Sequence, residues 1–341
     1  MAEFAFLLIP ILIIMGISLA FSIGANDETL SALVGAGVIK FRIALIIGGA
    51  ATGFGMIFFS QGVGETVGAD ILGSGIKYTQ LMLLAVLISS IIWLVIGSFS
   101  GIPLSSTHST VGSIFGVLIV YSIFEGGIDP ATALNYEKLF NVVLGWFLSP
   151  AFGLIITFIL FKIIARFYLS KLRGLNQIEK AERNCKWLLL IAVVFAEIWV
   201  GANSAECIGI FYGLYNSNFI DLGQYYIFVI ICGIFVFLGI YIAGRYVIRN
   251  LASQMTNARP SEGLILQSSS AIILMIATFM GLPISHSHVI VFCIIGLNLS
   301  QKKETDKKGL FKMGAYWILT FPIAAILAGF IYWNFLIVGL S

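Results

Sequence analysis

Charge is what this sequence lacks most. Only 19 Lys and Arg and 16 Asp and Glu stand among its 341 residues, 10% in all, where a soluble domain carries about 25%. That shortage excludes an ordinary cytosolic enzyme, a disordered chain and a nucleic-acid binder. Cysteine is nearly absent too. Cys185, Cys207, Cys232 and Cys293 lie in apolar or juxtamembrane context without a CxxC spacing, so neither a disulfide framework nor a metal cage is indicated. No basic stretch precedes the first apolar run, and that run is too long for a cleaved leader, so it reads as a first membrane helix. Hydrolase motifs such as GxSxG and HExxH are missing, which removes the case for an intramembrane enzyme.

Apolar side chains are what the chain has in abundance: 59% of the residues, with a mean hydropathy of +1.03. One water-soluble core cannot bury that much apolar surface, so the solvent for most of it is the lipid bilayer. The expected fold is all-α and integral to the cell membrane, multi-pass, with room for about ten transmembrane stretches at roughly 20 residues each.

Apolar stretches fall near 4–23, 43–60, 79–100, 109–123, 139–164, 187–212, 224–243, 264–280, 289–299 and 313–338. Of the Lys and Arg, 17 fall in four places: Lys40 with Arg42, the segment Lys162–Lys186, Arg245–Arg259 and Lys302–Lys312. The loops between carry Glu65, Asp70, Glu125, Asp129, Glu137 and Asp221, with only Lys77 and Lys138 as bases. Basic loops thus alternate with acidic ones along all ten stretches, and the positive-inside rule makes the basic loops cytoplasmic. The stretches 109–123 and 289–299 are short for a full crossing, and the run 4–39 is too long for one helix.

The chain repeats itself. Gly24-Ala25-Asn26-Asp27 returns as Gly201-Ala202-Asn203-Ser204, and Gly101-Ile102-Pro103-Leu104-Ser105-Ser106-Thr107-His108 returns as Gly281-Leu282-Pro283-Ile284-Ser285-His286-Ser287-His288. The offsets are 177 and 180 residues, about half the chain. Five apolar stretches separate equivalent points, an odd number, so the second copy is expected upside down relative to the first. The reading is two inverted repeats, 1–161 and 187–341, joined by a basic cytoplasmic linker, 162–186. Inverted repeats with broken or re-entrant helices mark secondary transporters whose site lies near the midplane.

These duplicated motifs resemble those of the inorganic phosphate transporter (PiT) family, which has paired GANDxxN and PxSTTH segments and includes sulfate permeases. Arg259-Pro260-Ser261-Glu262-Gly263, just before the second copy, resembles the family as well. The likeness covers essentially the whole chain. It implies a symporter for a tetrahedral inorganic oxyanion, driven by protons or sodium, with no other cofactor. A homodimer and other oligomeric states are left open.

The residue types suit that task. Pro103 and Pro283 cannot continue a preceding helix, and the Ser and Thr that follow are favoured at a helix start. A helix start offers free N–H groups and the positive end of its dipole to an anion. Two such starts, one per repeat, would clasp an oxyanion without Lys or Arg. Ser105, Ser106, Thr107, Ser285, His286 and Ser287 are the expected anion ligands, with Asn26, Asn203 and Ser204 beside them. The plain alternative is that the hydroxyls are packing glue between helices.

Asp27 lies deep in an apolar run and is a functional candidate on that ground, unless it only caps the following helix. Leu30 stands where the first GANDxxN ends, Ser204 replaces the second Asp and Cys207 the second Asn. These losses thin any sodium cage and favour proton coupling, with Asp27 as main carrier and Glu206 and His286 beside it. Further candidates are Glu28, Glu65, His108 and His288; Glu197 and Glu206 stand 9 apart around the second GAN motif, and the alternative for one of them is that it only faces an aqueous vestibule. Sulfate is a pure acceptor, whereas phosphate carries a proton that needs an acceptor of its own. Replacing Asp by Ser204 and Thr by His286 shifts the site toward donors, so sulfate is expected and phosphate is the alternative. A metal carrier built on His286 and His288 is disfavoured, because residues at i and i+2 do not share a helix face.

Overall fold

The computed structural model describes residues 2–27, 29–100, 105–124, 127, 129–254, 259–304 and 307–339. Glu28, Pro103 and Glu125 lie outside the described residues. The described residues are nearly all helical, and eight helical segments are long and apolar enough to cross a membrane, with shorter apolar helices at Gln80–Ile96 and His286–Gln301.

In chain order the first half holds α1 (Ala2–Ala25), α2 (Ser31–Gly35), α3 (Phe41–Phe59), α4 (Gln61–Glu65) running into a π-turn at Thr66–Asp70, α5 (Gln80–Ser100), α6 (Ser106–Phe124), α7 (Pro130–Ala133) and α8 (Tyr136–Phe167). The second half holds α9 (Leu175–Asn203), α10 (Glu206–Asn216), α11 (Leu222–Gly239) followed by a π-turn at Ile240–Gly244, α12 (Arg245–Gln254), α13 (Pro260–Phe279), α14 (His286–Gln301) and α15 (Lys307–Ile337). Some helix starts carry side-chain caps. Asp221 accepts from the Gln224 N–H at 2.8 Å while Gln224 accepts from the Asp221 N–H at 2.9 Å, and Asn135 accepts from the Lys138 N–H at 3.1 Å.

One sequence expectation is corrected, and two segments gain their boundaries. The stretch 187–212 is two helices, because the chain turns at Ser204 and Ala205 between α9 and α10. The run 4–39 is broken after Ala25 and resumes at Ser31. Within 162–186 only Tyr168–Gly174 leaves the α-helical path, so Lys162 and Arg166 ride on α8 and Lys180, Arg183 and Lys186 on α9.

Charge sorts the molecule into two ends. At one, Arg249 lies over the Phe41 ring at 5.0 Å, Glu182 of α9 takes the Ser261 N–H and hydroxyl at 3.0 and 2.8 Å, and Glu262 takes Gln301 at 2.7 Å and Lys303 at 3.2 Å. All four basic segments meet there. At the other end Lys138 pairs with Asp70 at 2.9 Å, and Gly73 donates to the Ala133 carbonyl at 2.9 Å. The flanks between are apolar and outward-facing, as at Phe147, Ile326 and Phe58, while Thr52, Ser109, Thr110, Ser113, Ser269 and Ser270 are buried. This inside-out polarity suits a chain solvated by lipid.

Two helical hairpins enter from these opposite ends. The arms of the first, α5 and α6, open toward the acidic loops, where α6 packs on α7. The arms of the second, α13 and α14, open toward the basic end, where Glu262 near the start of α13 meets Gln301 at the end of α14.

Packing between the halves is reciprocal. α9 lies on α3 and α1 on α11, while α15 lies on α6 and α14 on α8. Glycine permits the close approaches. A Cβ on Gly55 would strike the Ile198 carbonyl and one on Gly201 the Thr52 carbonyl. In the counterpart pair Gly24 faces Val236 and Gly239 faces Phe21. Small residues of this kind let membrane helices pack backbone to backbone.

Candidate functional site

The tips of the two hairpins touch. Ser105 is the N-cap of α6: its hydroxyl accepts the His108 N–H at 3.2 Å, so the side chain is spent on the helix start. The next two hydroxyls turn outward from the helix end. Ser106 donates to Glu206 Oε1 at 2.9 Å and Thr107 donates to the same oxygen at 2.6 Å. Thr107 also lies 3.4 Å from the Ile284 carbonyl of the other tip. The start of α6 is thereby joined to the start of α10 and to the loop that opens α14. By helix geometry the first N–H groups of each are not used by their own helix.

Glu206 is the first residue of α10 and wholly buried. Its Oε2 is buried and has no hydrogen-bond partner among the described residues. A carboxylate at a helix N-terminus is favourably placed in the dipole field, yet an unpartnered oxygen at such depth is costly. This residue links halves of the chain 100 positions apart.

Asn203 braces the second tip. Its Oδ1 accepts the Ile284 N–H at 2.9 Å, and its Nδ2 donates to the Leu282 carbonyl at 3.0 Å and to Thr278 at 3.1 Å. The whole amide is thus committed to the loop that presents α14. Thr66 adds a second brace, its hydroxyl reaching the Gly281 carbonyl at 2.6 Å. Trp146 of α8 donates to the Pro283 carbonyl at 2.9 Å.

Of the remaining candidates, Ser285 is the buried N-cap of α14, with His286 and Ser287 half-buried in its first turn. His108 and His288 are buried, with ring centroids 4.6 Å apart. Ser204 is half-buried and its N–H closes the last turn of α9 on the Val200 carbonyl. Asn26 is exposed and donates to the Ser22 carbonyl at 3.0 Å.

Asp27 is buried, but its bonds are local: Oδ1 accepts the Thr29 N–H at 2.9 Å and hydroxyl at 2.7 Å. Gln267 of α13 reaches the Thr29 carbonyl at 3.2 Å. Gln267 and the Thr278 that meets Asn203 are eleven residues apart, about 16 Å along the helix, so the two GAN segments engage α13 at separate levels. Glu65 is half-buried and accepts from Gln61 at 2.8 Å. Glu197 is buried where α9 meets α3, accepting from Thr52 at 2.7 Å. Among the described residues no three His, Cys, Asp or Glu group as a metal site.

Residues 23–328 match the phosphate transporter family. The chain belongs to that family. Relatives agree along its length. A protein of Pyrococcus furiosus named a phosphate permease is 28% identical over 96% of this chain and 97% of its own. One of Bacillus subtilis named a probable low-affinity inorganic phosphate transporter is also 28% identical, over 96% and 97%. A solved sodium-dependent phosphate transporter has the same fold, with a TM-score of 0.84 over 97% of this chain and 99% of that one, at 22% identity. Family and fold are those of transporters and not of enzymes, and this is a multi-pass membrane protein.

The sulfate expectation gives way to phosphate on these findings. It rested on motif positions alone, where acceptors are lost at Ser204 and His286. The acceptor is restored two residues beyond Ser204, at Glu206, whose contact with Ser106 and Thr107 no local pattern reveals. Trp146, Thr66 and Thr278 were missed in the same way. One signal was available: Asn203 and Ser204 are polar residues inside the apolar run 187–212, where a helix break is least costly.

Proposed function

We propose that this chain takes up inorganic phosphate by alternating access, coupled to protons, with the anion bound where the two hairpin tips meet. The observation that carries the reading is Thr107, which touches Glu206 and the Ile284 carbonyl of the opposite tip at once. Helix starts, hydroxyls of Ser106 and Thr107, and the first turn at Ser285, His286 and Ser287 supply donors to phosphate oxygens. The Glu206 carboxyl supplies, at Oε1, the acceptor that a phosphate hydroxyl needs and that sulfate, having no proton, would leave without a donor. No Lys or Arg stands in these segments, so the anion is held by dipoles and released without breaking an ion pair.

Reciprocal packing of the halves supports two inverted repeats, with α5–α6 and α13–α14 as equivalent hairpins entering from opposite sides. Proton coupling is favoured over sodium because Leu30, Ser204 and Cys207 remove oxygens that a sodium ion would need. Asp27, Glu206 and His286 are the titrating candidates. The test is phosphate uptake into proteoliposomes under imposed proton or sodium gradients. Accumulation driven by the pH gradient, with excess sulfate unable to compete, is expected. Sulfate accumulation without phosphate accumulation would overturn the substrate, and uptake that needs sodium and ignores pH would overturn the coupling ion.

A further inference from the structure

Glu206 sits three residues past the second GAN motif, where the first copy has Thr29. The acid of the repeat has moved from the fourth motif position in one half to the sixth in the other. The consequence is spatial. Asp27 is bonded inside its own turn, whereas the Glu206 carboxylate crosses to the other half and occupies the two hydroxyls at the start of α6. We propose that Glu206 is a resident stand-in for the substrate: its carboxylate and phosphate compete for the Ser106 and Thr107 hydroxyls, so that phosphate binds only when Glu206 carries a proton. This rests on the phosphate reading above and gives it a coupling step.

The chemistry is that of exclusion. Each hydroxyl has one proton to donate, and both are given to Oε1 at 2.9 and 2.6 Å. A phosphate oxygen arriving at the start of α6 asks for the same two protons. It also brings a second negative charge to a buried site that already holds one. Protonation on Oε2, which has no partner, removes the charge, frees both hydroxyls and turns that oxygen into a donor. The proton comes from water on the entry side and is lost to water on the exit side after phosphate leaves. Dihydrogen phosphate plus that proton crosses without net charge.

No cation competes for the role. The elements packed on α10 are α1, α4 with its π-turn, α5, α6 and α11. Their titratable groups are Glu3 on α1, Glu65 and Asp70 on α4 and its turn, His108 and Tyr121 on α6, and Tyr225, Tyr226 and Cys232 on α11. Beside Glu206 on α10 stands Cys207, whose thiol lies 3.9 Å from the Met56 sulfur, with Tyr212 and Tyr215 further along the helix. None is Lys or Arg. His108 turns its Nδ1 to the Trp317 carbonyl at 3.4 Å. An ionised Glu206 is therefore held by hydroxyls and helix ends alone, a balance that an arriving anion can tip.

The experiment uses the full chain in proteoliposomes, with labelled phosphate measured in two modes: exchange at equal pH on both sides, and accumulation under an inward proton gradient. Glu206→Gln should lower accumulation at least tenfold, while exchange persists at a tenth of the wild-type rate or more and loses its dependence on pH between 6 and 8. Glu206→Asp should restore accumulation in part. Ser106→Ala removes one donor to the ionised carboxylate and one to phosphate, so exchange should slow, and because the protonated carboxyl is favoured its pH profile should move upward by about one unit, a tenfold change in proton affinity. Accumulation by Glu206→Gln within twofold of wild type overturns the proposal. So does loss of both modes in a Glu206→Gln protein that elutes as wild type, since Glu206 would then be a permanent phosphate ligand, and so does an unmoved profile in Ser106→Ala. A wild-type protein that neither exchanges nor accumulates phosphate overturns the phosphate reading itself.

Discussion

The imidazoles of His108 and His288 meet edge to face, their centroids 4.6 Å apart. Each closes its PxSxxH segment, so the contact joins the two hairpin starts to each other. An indole covers each ring, Trp146 over His108 at 3.9 Å and Trp317 over His288 at 3.8 Å. Edge-to-face and offset contacts of this kind add to what burial alone contributes. The joint holds the α6 and α14 starts in register beneath the place where the anion is proposed to sit.

Trp146 should therefore matter beyond its size. Its N–H also holds the Pro283 carbonyl. Trp146→Phe keeps a ring and loses the donor, with an expected cost of about 1–3 kcal/mol. It should lower the melting temperature in detergent and raise the KM for phosphate. Trp146→Ala should cost about 3–5 kcal/mol. A Phe variant with both readings unchanged would show that the bond contributes nothing to the tip.

Asn203→Ala strips three hydrogen bonds from the second tip at once. The Ile284 N–H and Leu282 carbonyl are then left without that partner, at about 1–3 kcal/mol for each buried group. Phosphate exchange should fall with a raised KM, because the start of α14 is no longer held in place. Equal KM values in Asn203→Ala and wild type would make the bracing role untenable.

Gly55 and Gly201 allow α3 and α9 to touch through their backbones, and a methyl at either collides with a carbonyl of the other helix. Gly55→Ala or Gly201→Ala should lose the monodisperse peak in size-exclusion chromatography. A methyl group added at Gly314 in α15 would meet nothing within 4 Å, and Gly314→Ala should stabilise by about 0.5–1 kcal/mol, the helix-propensity gain. Normal elution of the α3 and α9 variants would contradict this packing.

Sidedness can be read with an impermeant thiol reagent on intact cells. All four native cysteines are buried, so background is low, and Cys185 in particular is a poor reporter of its loop. Lys138→Cys, at the acidic end, should label from outside. Lys303→Cys, at the basic end, should label only after permeabilisation. The reverse pattern would invert the whole topology.

Asp27→Asn tests the local reading of the first GAN motif. The carboxylate accepts both bonds from Thr29. If it also carries a coupling proton, gradient-driven accumulation of phosphate should be lost while exchange persists. If accumulation continues, Asp27 is a cap of the chain turn before α2 and coupling belongs to Glu206 without it.

Much of the fold was legible because bilayer thickness, apolar runs and the side preference of Lys and Arg act on stretches of chain rather than on single contacts. The basic segments do meet at one end, as the joining of Glu182 to Ser261 and of Lys303 to Glu262 requires. The hairpin starts at Ser106 and His286 were legible from proline followed by hydroxyl residues. Glu206 was legible as a titrating candidate, but its contact with Ser106 and Thr107 was not, since it depends on a helix break at Ser204 and on contacts about 100 residues distant. Asn203 was legible as a motif residue, but its spacing gave no sign that the amide turns to the Ile284 loop rather than toward an anion. Glu197 and Thr52 form their bond across 145 residues, beyond any periodicity.

The reciprocal packing of the halves also sets a timetable for synthesis. α6 rests its Gly116 against Ala325 of α15, more than 200 residues later in the chain. At about 5–20 residues per second, the ribosome needs roughly 10–40 s to make that partner. During that interval α6 stands in the bilayer with Gly112 and Gly116 not yet covered by Phe321 and Ala325 of α15. A newly made first half must be sheltered, by the insertion machinery or by transient pairing with α5, until the last helix arrives. Truncating the chain before α15 should then expose the first half to quality-control proteolysis rather than leave a stable half-transporter.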